Sequence, residues 1–130
     1  MSELWAPNYT DVIVLDIESY DPELSKLGPG VYHDPSAYVL GCGIYDSKTK
    51  FRKYFPLHHR DCSEQELAKS RAELAEILAA PTSKLTANGG YDLDWLENGE
   101  HIPVNGFIHD VQVAEPLLDS YKFSYSLDAL

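Results

Sequence analysis

The sequence is poor in the features that identify several common classes of protein. It has only two cysteines, Cys42 and Cys62. Two are too few for a disulfide scaffold, and their spacing matches no zinc motif, so free thiols in a cytosolic setting are expected. No apolar run approaches the ~18 residues of a membrane span, which excludes a transmembrane helix as the organising element. The opening residues, MSELWAP, lack a basic stretch followed by an apolar one, so no secretory signal is visible. There is no internal repeat and no low-complexity tract. Basic residues are also scarce. Ten Lys and Arg face 21 Asp and Glu, for a formal charge of −11. Such a chain cannot grip a phosphate backbone by itself, which needs a basic face, but it can meet phosphates through bound cations.

What is present suits a single α/β domain. The chain has 130 residues, 44% of them apolar and 12% aromatic, enough to bury a core. Asp11–Ile17 is β-branched and continuous, and it reads as a central strand buried on both faces. Two glycines and two prolines between Asp21 and Gly30 predict a loop without regular structure. Residues 37–45 and 50–55 flank a polar turn and predict a hairpin, whose second arm alternates aromatic and basic residues. Ser63 and Glu66 form a capping box ahead of Leu67, Arg71, Leu74 and Leu78, with Pro81 as the stop. A short strand over 84–87, a helix near 91–97 and a strand over 107–109 follow. Asp110 then fits the N-cap of a helix carrying Val113, Ala114, Leu117 and Leu118. The order predicts a mixed sheet, because the hairpin makes one strand antiparallel.

Two D-x-E pairs occur, and in so acidic a chain neither is specific alone. Asp21/Glu23 flanks Pro22 in the loop and reads as solvated charge. Asp16/Glu18 ends the most apolar strand, where a period of two sends both carboxylates to one face. Paired carboxylates there repel one another and lose hydration, and a hard divalent ion such as Mg²⁺ or Mn²⁺ would relieve both costs. A capped strand end or a surface pair is the alternative. Further on, Asn88-Gly89-Gly90-Tyr91-Asp92 runs from a strand end into a helix. In a parallel arrangement, strand C-termini share one edge, which would gather Asp16, Glu18, Asn88 and Asp92. Taken singly, Asn88 also reads as a turn residue and Asp92 as a helix N-terminal charge. His58-His59 reads as loop. Cys42 reads as buried and inert. Lys48, Lys50, Arg52 and Lys53 read as an exposed hairpin face.

These segments carry a family resemblance. Val-Leu-Asp16-Ile-Glu18-Ser-Tyr-Asp with Gly28-Pro29-Gly30, then Asn88-Gly-Gly-Tyr91-Asp92, then Asp110-Val-Gln-Val-Ala-Glu-Pro-Leu-Leu-Asp and Tyr-Ser-Leu127-Asp-Ala-Leu130, resemble a known enzyme domain. It is the 3′→5′ proofreading exonuclease domain of phage-type family A DNA polymerases, within the DnaQ-like or DEDD group. The resemblance implies a ribonuclease H-like mixed five-stranded sheet with flanking helices. It implies Asp16, Glu18 and Asp92 as catalytic, metal-binding carboxylates for two Mg²⁺ or Mn²⁺ ions, with Asn88 and Tyr91 supporting the substrate. The implied partners are a single-stranded DNA 3′ end and a polymerase domain or subunit. The implied setting is the cytoplasm of a phage-infected cell, with no membrane. The third motif of the group, a Tyr or His followed four residues later by Asp, has no match. Residues 1–130 are therefore expected to be most of one exonuclease domain, with its C-terminal helices missing. An inactive exonuclease fold that binds proteins or mimics DNA through its acids is the competing reading.

Overall fold

A computed structural model describes residues 11–111 of the protein. The chain order is strand, hairpin, helix, strand, helix, strand. β1 (Val12–Tyr20) leads to a short helix α1 (Leu24–Leu27) and a 3₁₀ turn (Gly30–Tyr32). The loop expected to be irregular thus contains two helical turns. The hairpin β2 (Tyr38–Asp46) and β3 (Arg52–Pro56) comes next, then α2 (Glu64–Ala79), β4 (Ser83–Thr86), α3 (Gly89–Leu93) and β5 (Ile108–Asp110). A π-helical turn (Asp94–Gly99) continues α3 two residues beyond the expected end at 97. The helix expected beyond Asp110 lies outside the described residues.

The sheet is five-stranded and mixed, in the order β3-β2-β1-β4-β5. β1 and β2 pair antiparallel, as do β2 and β3, whereas β4 runs parallel to both β1 and β5. This is the ribonuclease H-like arrangement, with β1 at its centre.

β1 corrects the expectation of a strand buried on both faces. Ile13, Leu15 and Ile17 point into the core, but on the other face Val14 is half-buried and Asp16 and Glu18 are exposed. The inner face is covered by α2, whose Leu74 and Leu78 are fully buried with Phe55, Leu57 and Leu96. Each such leucine contributes roughly 2 kcal/mol of hydrophobic stabilisation. Ser63 caps α2 as expected, its Oγ accepting from the Glu66 N–H at 3.1 Å.

The far end of α2 has neither a glycine cap nor a basic residue in its last turn. Its carbonyls are instead satisfied from across the fold. Asn105 donates from its backbone N–H to Leu78 and from its side chain to Ala79, both at 2.9 Å. Lys84, wholly buried, points its ammonium at the carbonyls of Ala80, Thr82 and Asn105, at 2.7, 2.6 and 2.6 Å. Three donors meet three acceptors, so the charge is accommodated. Burial pushes the Lys84 amine below its ordinary pKa.

Candidate active site

β1 pairs with β4 only over Val12–Val14. β4 then ends at Thr86 and the chain turns into α3, which leaves the β1 edge beyond Val14 without a strand partner on that side. α3 fills the gap. Asp92, on its first turn, is buried, and its carboxylate comes close enough to β1 to feel the charge of Asp16. Asp16, Glu18 and Asp92 are brought to one edge of the sheet.

The electrostatics follow from this packing. The Asp92 carboxyl is pushed up to about 7, first by burial and then by the negative charge of Asp16. The Ile17 N–H opposes the rise, and Asp110 and Glu18 add to it. Partial desolvation against the sheet also raises Asp16. Asp92 therefore sits in the combined negative field of Asp16, Asp110 and Glu18. Among the described residues, no three His, Cys, Asp or Glu side chains are drawn together closely enough to hold one metal ion. The donor chemistry, hard oxygens with unrelieved negative charge, nevertheless fits a divalent cation.

Asn88 is exposed at the head of α3. Its side chain makes no capping bond, and its carbonyl accepts from the Asp92 N–H at 3.1 Å. Tyr91 is more constrained. Its hydroxyl donates to Asp21 Oδ2 at 3.0 Å, and Ser19 Oγ lies 2.8 Å away. One phenol proton cannot serve both, so Ser19 donates to Tyr91 while Asp21 accepts. Asp21 also accepts from the Gly30 N–H at 3.0 Å. It therefore joins β1, α3 and the 3₁₀ turn, and the reading of Asp21 as solvated charge is incorrect. The one signal for this in the sequence is the Gly28-Pro29-Gly30 loop, which needs an anchor.

Asp110 supports the same region. Its Oδ2 accepts from the Gly89 N–H at 2.7 Å, at the end of β5. A Cβ on Gly89 would lie 2.7 Å from Thr86 Oγ1 and 3.2 Å from Asp110 Oδ2. Neither Gly89 nor Gly90 has a positive φ. Close approach, not a sharp turn, is why glycine stands at 89.

The outer face of β1–β3 forms an open groove of about 500 Å³ that begins at Asp16 and passes Gly43, Tyr45 and Arg52. Arg52 stacks over Tyr45 at 5.8 Å, and Lys53 pairs with Glu73 at 2.9 Å. The basic arm is thus partly engaged within the fold. His58 and His59 share no site: His58 pairs with Glu100, and His59 Nε2 meets the Tyr54 hydroxyl at 2.8 Å. Cys42 is buried, and desolvation pushes its thiol up to about 12, so it is unreactive as expected.

Comparison with known proteins agrees with this geometry. No family model matches the chain. It is 33% identical over 122 residues, 91% of its length, to a DNA-directed DNA polymerase of Pseudomonas phage M6. The chain spans 18% of that polymerase. Among solved structures, one titled as the apo form of a nuclease shares the fold with a TM-score of 0.59 at 17% identity. The match covers 98% of this chain and 53% of that one. The chain shares the fold of that nuclease and is similar in sequence to a stretch of a phage polymerase. Among the described residues, no helix is long and apolar enough to cross a membrane.

Proposed function

We propose that these residues form most of a 3′→5′ exonuclease domain attached to a phage-type DNA polymerase, removing nucleotides from single-stranded DNA 3′ ends. The observation that carries the reading is the burial of Asp92 on α3, at the β1 edge that β4 leaves open and within the field of Asp16. Two motifs far apart in the sequence meet there. The polymerase relative supplies the DNA context, and the nuclease neighbour supplies the fold.

Asp16, Glu18 and Asp92 would hold Mg²⁺ or Mn²⁺. Bound there, such ions supply an activated water and neutralise charge at the phosphodiester. The protein's own residues do the rest. Asp16 and Glu18 project from a rigid central strand, so their separation is fixed by the pleat. Asp92 is held back from solvent on the first turn of α3. In the free protein it carries its proton up to near neutral pH, and it would release that proton on binding a cation. Tyr91, locked to Ser19 and Asp21, fixes the end of β1 against α3. Asn88, exposed at the mouth, is free to reach the substrate's sugar or phosphate.

The test is release of mononucleotides from 3′-labelled single-stranded DNA in Mg²⁺ or Mn²⁺, comparing wild type with Asp16→Ala. Activity in the wild type and a loss of at least about a hundredfold in the variant are expected, the scale of removing a charge-stabilising group. Equal rates would remove Asp16 from the chemistry.

A further inference from the structure

Beyond Glu18 the outer face of β1 carries one more residue, Tyr20. The β1–β2 register shifts between Glu18 and Ser19, but the extra residue is on β2, so β1 keeps its alternation and Tyr20 follows Glu18 on the same side of the sheet, about 7 Å along the strand. It is 49% exposed, yet it is not a loose surface ring. Tyr20 pairs in register with Tyr38 on β2, the ring centroids 5.6 Å apart at 42°. Tyr38 meets His58 edge-on at 6.4 Å. His58 in turn pairs with Glu100, which is gripped by Arg71 of α2 through both its carbonyl and its carboxylate. The bracing thus runs from an exposed ring into the body of the fold.

The backbone is pinned on either side as well. Ser19 and Asp21, the neighbours of Tyr20, both bond to Tyr91. Tyr20 is held rigid while nearly half its surface faces water. A preorganised aromatic ring of this kind loses little entropy when it is covered. Its setting also limits what can cover it. The adjacent acids repel a phosphate, so the protein's own grip on a strand must come from a neutral, flat group. Base stacking supplies that grip, and it tolerates any base because each has a π face.

Resting on the exonuclease reading, we propose that Tyr20, braced by Tyr38, is the stacking platform for the unpaired base at the 3′ end of the strand. The platform explains how a chain of charge −11 holds DNA with few cationic side chains. It selects for frayed ends, because a base within a duplex is already stacked on both faces.

The experiment uses an oligonucleotide with 2-aminopurine as its 3′-terminal base, and a second with the probe about five positions inward, within the span of single-stranded contacts. Each is titrated with protein in Ca²⁺ instead of Mg²⁺. Wild type is expected to quench the terminal probe and leave the inner one unchanged. Tyr20→Ala should lose the quench and bind about tenfold more weakly, the range measured for a lost stacking partner. Tyr20→Phe should behave as wild type, and Tyr20→Leu, which keeps apolar bulk without a π face, as Tyr20→Ala. Circular dichroism checks that all variants fold. An equal quench in Tyr20→Ala, or no terminal quench in wild type, overturns the platform. If wild type hydrolyses DNA in Mg²⁺ and the quench ignores Tyr20, only the platform fails. If wild type shows no hydrolysis, the exonuclease reading fails, and the quench comparison still decides the platform.

Discussion

The backbone N–H of Gly89 donates to Asp110 Oδ2 at 2.7 Å, so the first turn of α3 hangs from the end of β5. Asp92 rides on that turn, three residues further on. The position of a proposed catalytic acid is therefore set by a hydrogen bond between two residues that touch no substrate. A methyl group at 89 would press on Thr86 Oγ1 and on Asp110 together. Gly89→Ala should destabilise the fold by about 1–3 kcal/mol, the usual cost of overpacking. Gly90→Ala meets nothing within 4 Å and should be neutral or stabilise by up to about 1 kcal/mol. Urea denaturation of the pair checks this, and equal effects at 89 and 90 would contradict it.

Lys84 presents a second test. Its ammonium satisfies three carbonyls, including one at the open end of α2. Lys84→Met fills similar volume but leaves those acceptors buried without a donor. A loss of about 2–4 kcal/mol is expected, within the range for breaking a buried polar cluster. Lys84→Arg should not rescue it, because a planar fork cannot address three carbonyls converging on one nitrogen. Thermal unfolding in which Lys84→Met matches wild type would show the cluster to be neutral.

How much of this is legible in the sequence depends on the range of the interactions concerned. β1, the hairpin and α2 are fixed by local patterns, namely β-branched runs, a polar turn and a capping box, and their positions hold to within a few residues. The Asp16/Glu18 pair is legible because pleating is local, and Asp92 because a strand-to-helix turn has few ways to go. The burial of Lys84 is not legible, since it depends on where residues 80, 82 and 105 converge. Nor is the role of the second D-x-E pair. Asp21 looks like any acid beside a proline, and only the distant Tyr91 and the Gly30 N–H make it a joint. One face of β1 misleads for a related reason: its apolar run stops at Leu15, and Asp16 opens the outer face.

The Asp21 joint is itself testable. Asp21→Ala leaves the buried Gly30 N–H and the Tyr91 hydroxyl without their acceptor. We expect a loss of about 2–3 kcal/mol, more than for Tyr91→Phe, which removes one hydroxyl and leaves Asp21 on Gly30. Glu23→Ala, at the other acid of the same D-x-E pair, should stay within about 0.5 kcal/mol. Denaturant midpoints of the three variants give the order, and the joint is refuted if Asp21→Ala and Glu23→Ala coincide.

Asp92 supplies a pH dependence whose sign can be worked out. Its carboxyl sits near 3.8 in the unfolded chain and is pushed up to about 7 in the fold. Between those values the folded state holds a proton that the unfolded state has released. The metal-free protein is therefore most stable on this account below about pH 4, loses stability as pH rises through 7, and levels off above it. The loss is on the order of a few kcal/mol, since each tenfold difference in proton affinity between the two states is worth about 1.4 kcal/mol. Asp92→Asn, neutral at every pH and similar in shape, should show a flatter profile and exceed wild type in stability at about pH 8. Urea melts in EDTA at about pH 5 and pH 8 make the comparison, and parallel profiles would exclude Asp92 as the source. Adding Mn²⁺ at the higher pH should stabilise wild type and leave Asp92→Asn nearly unchanged. A cation replaces the missing proton only where a carboxylate can receive it.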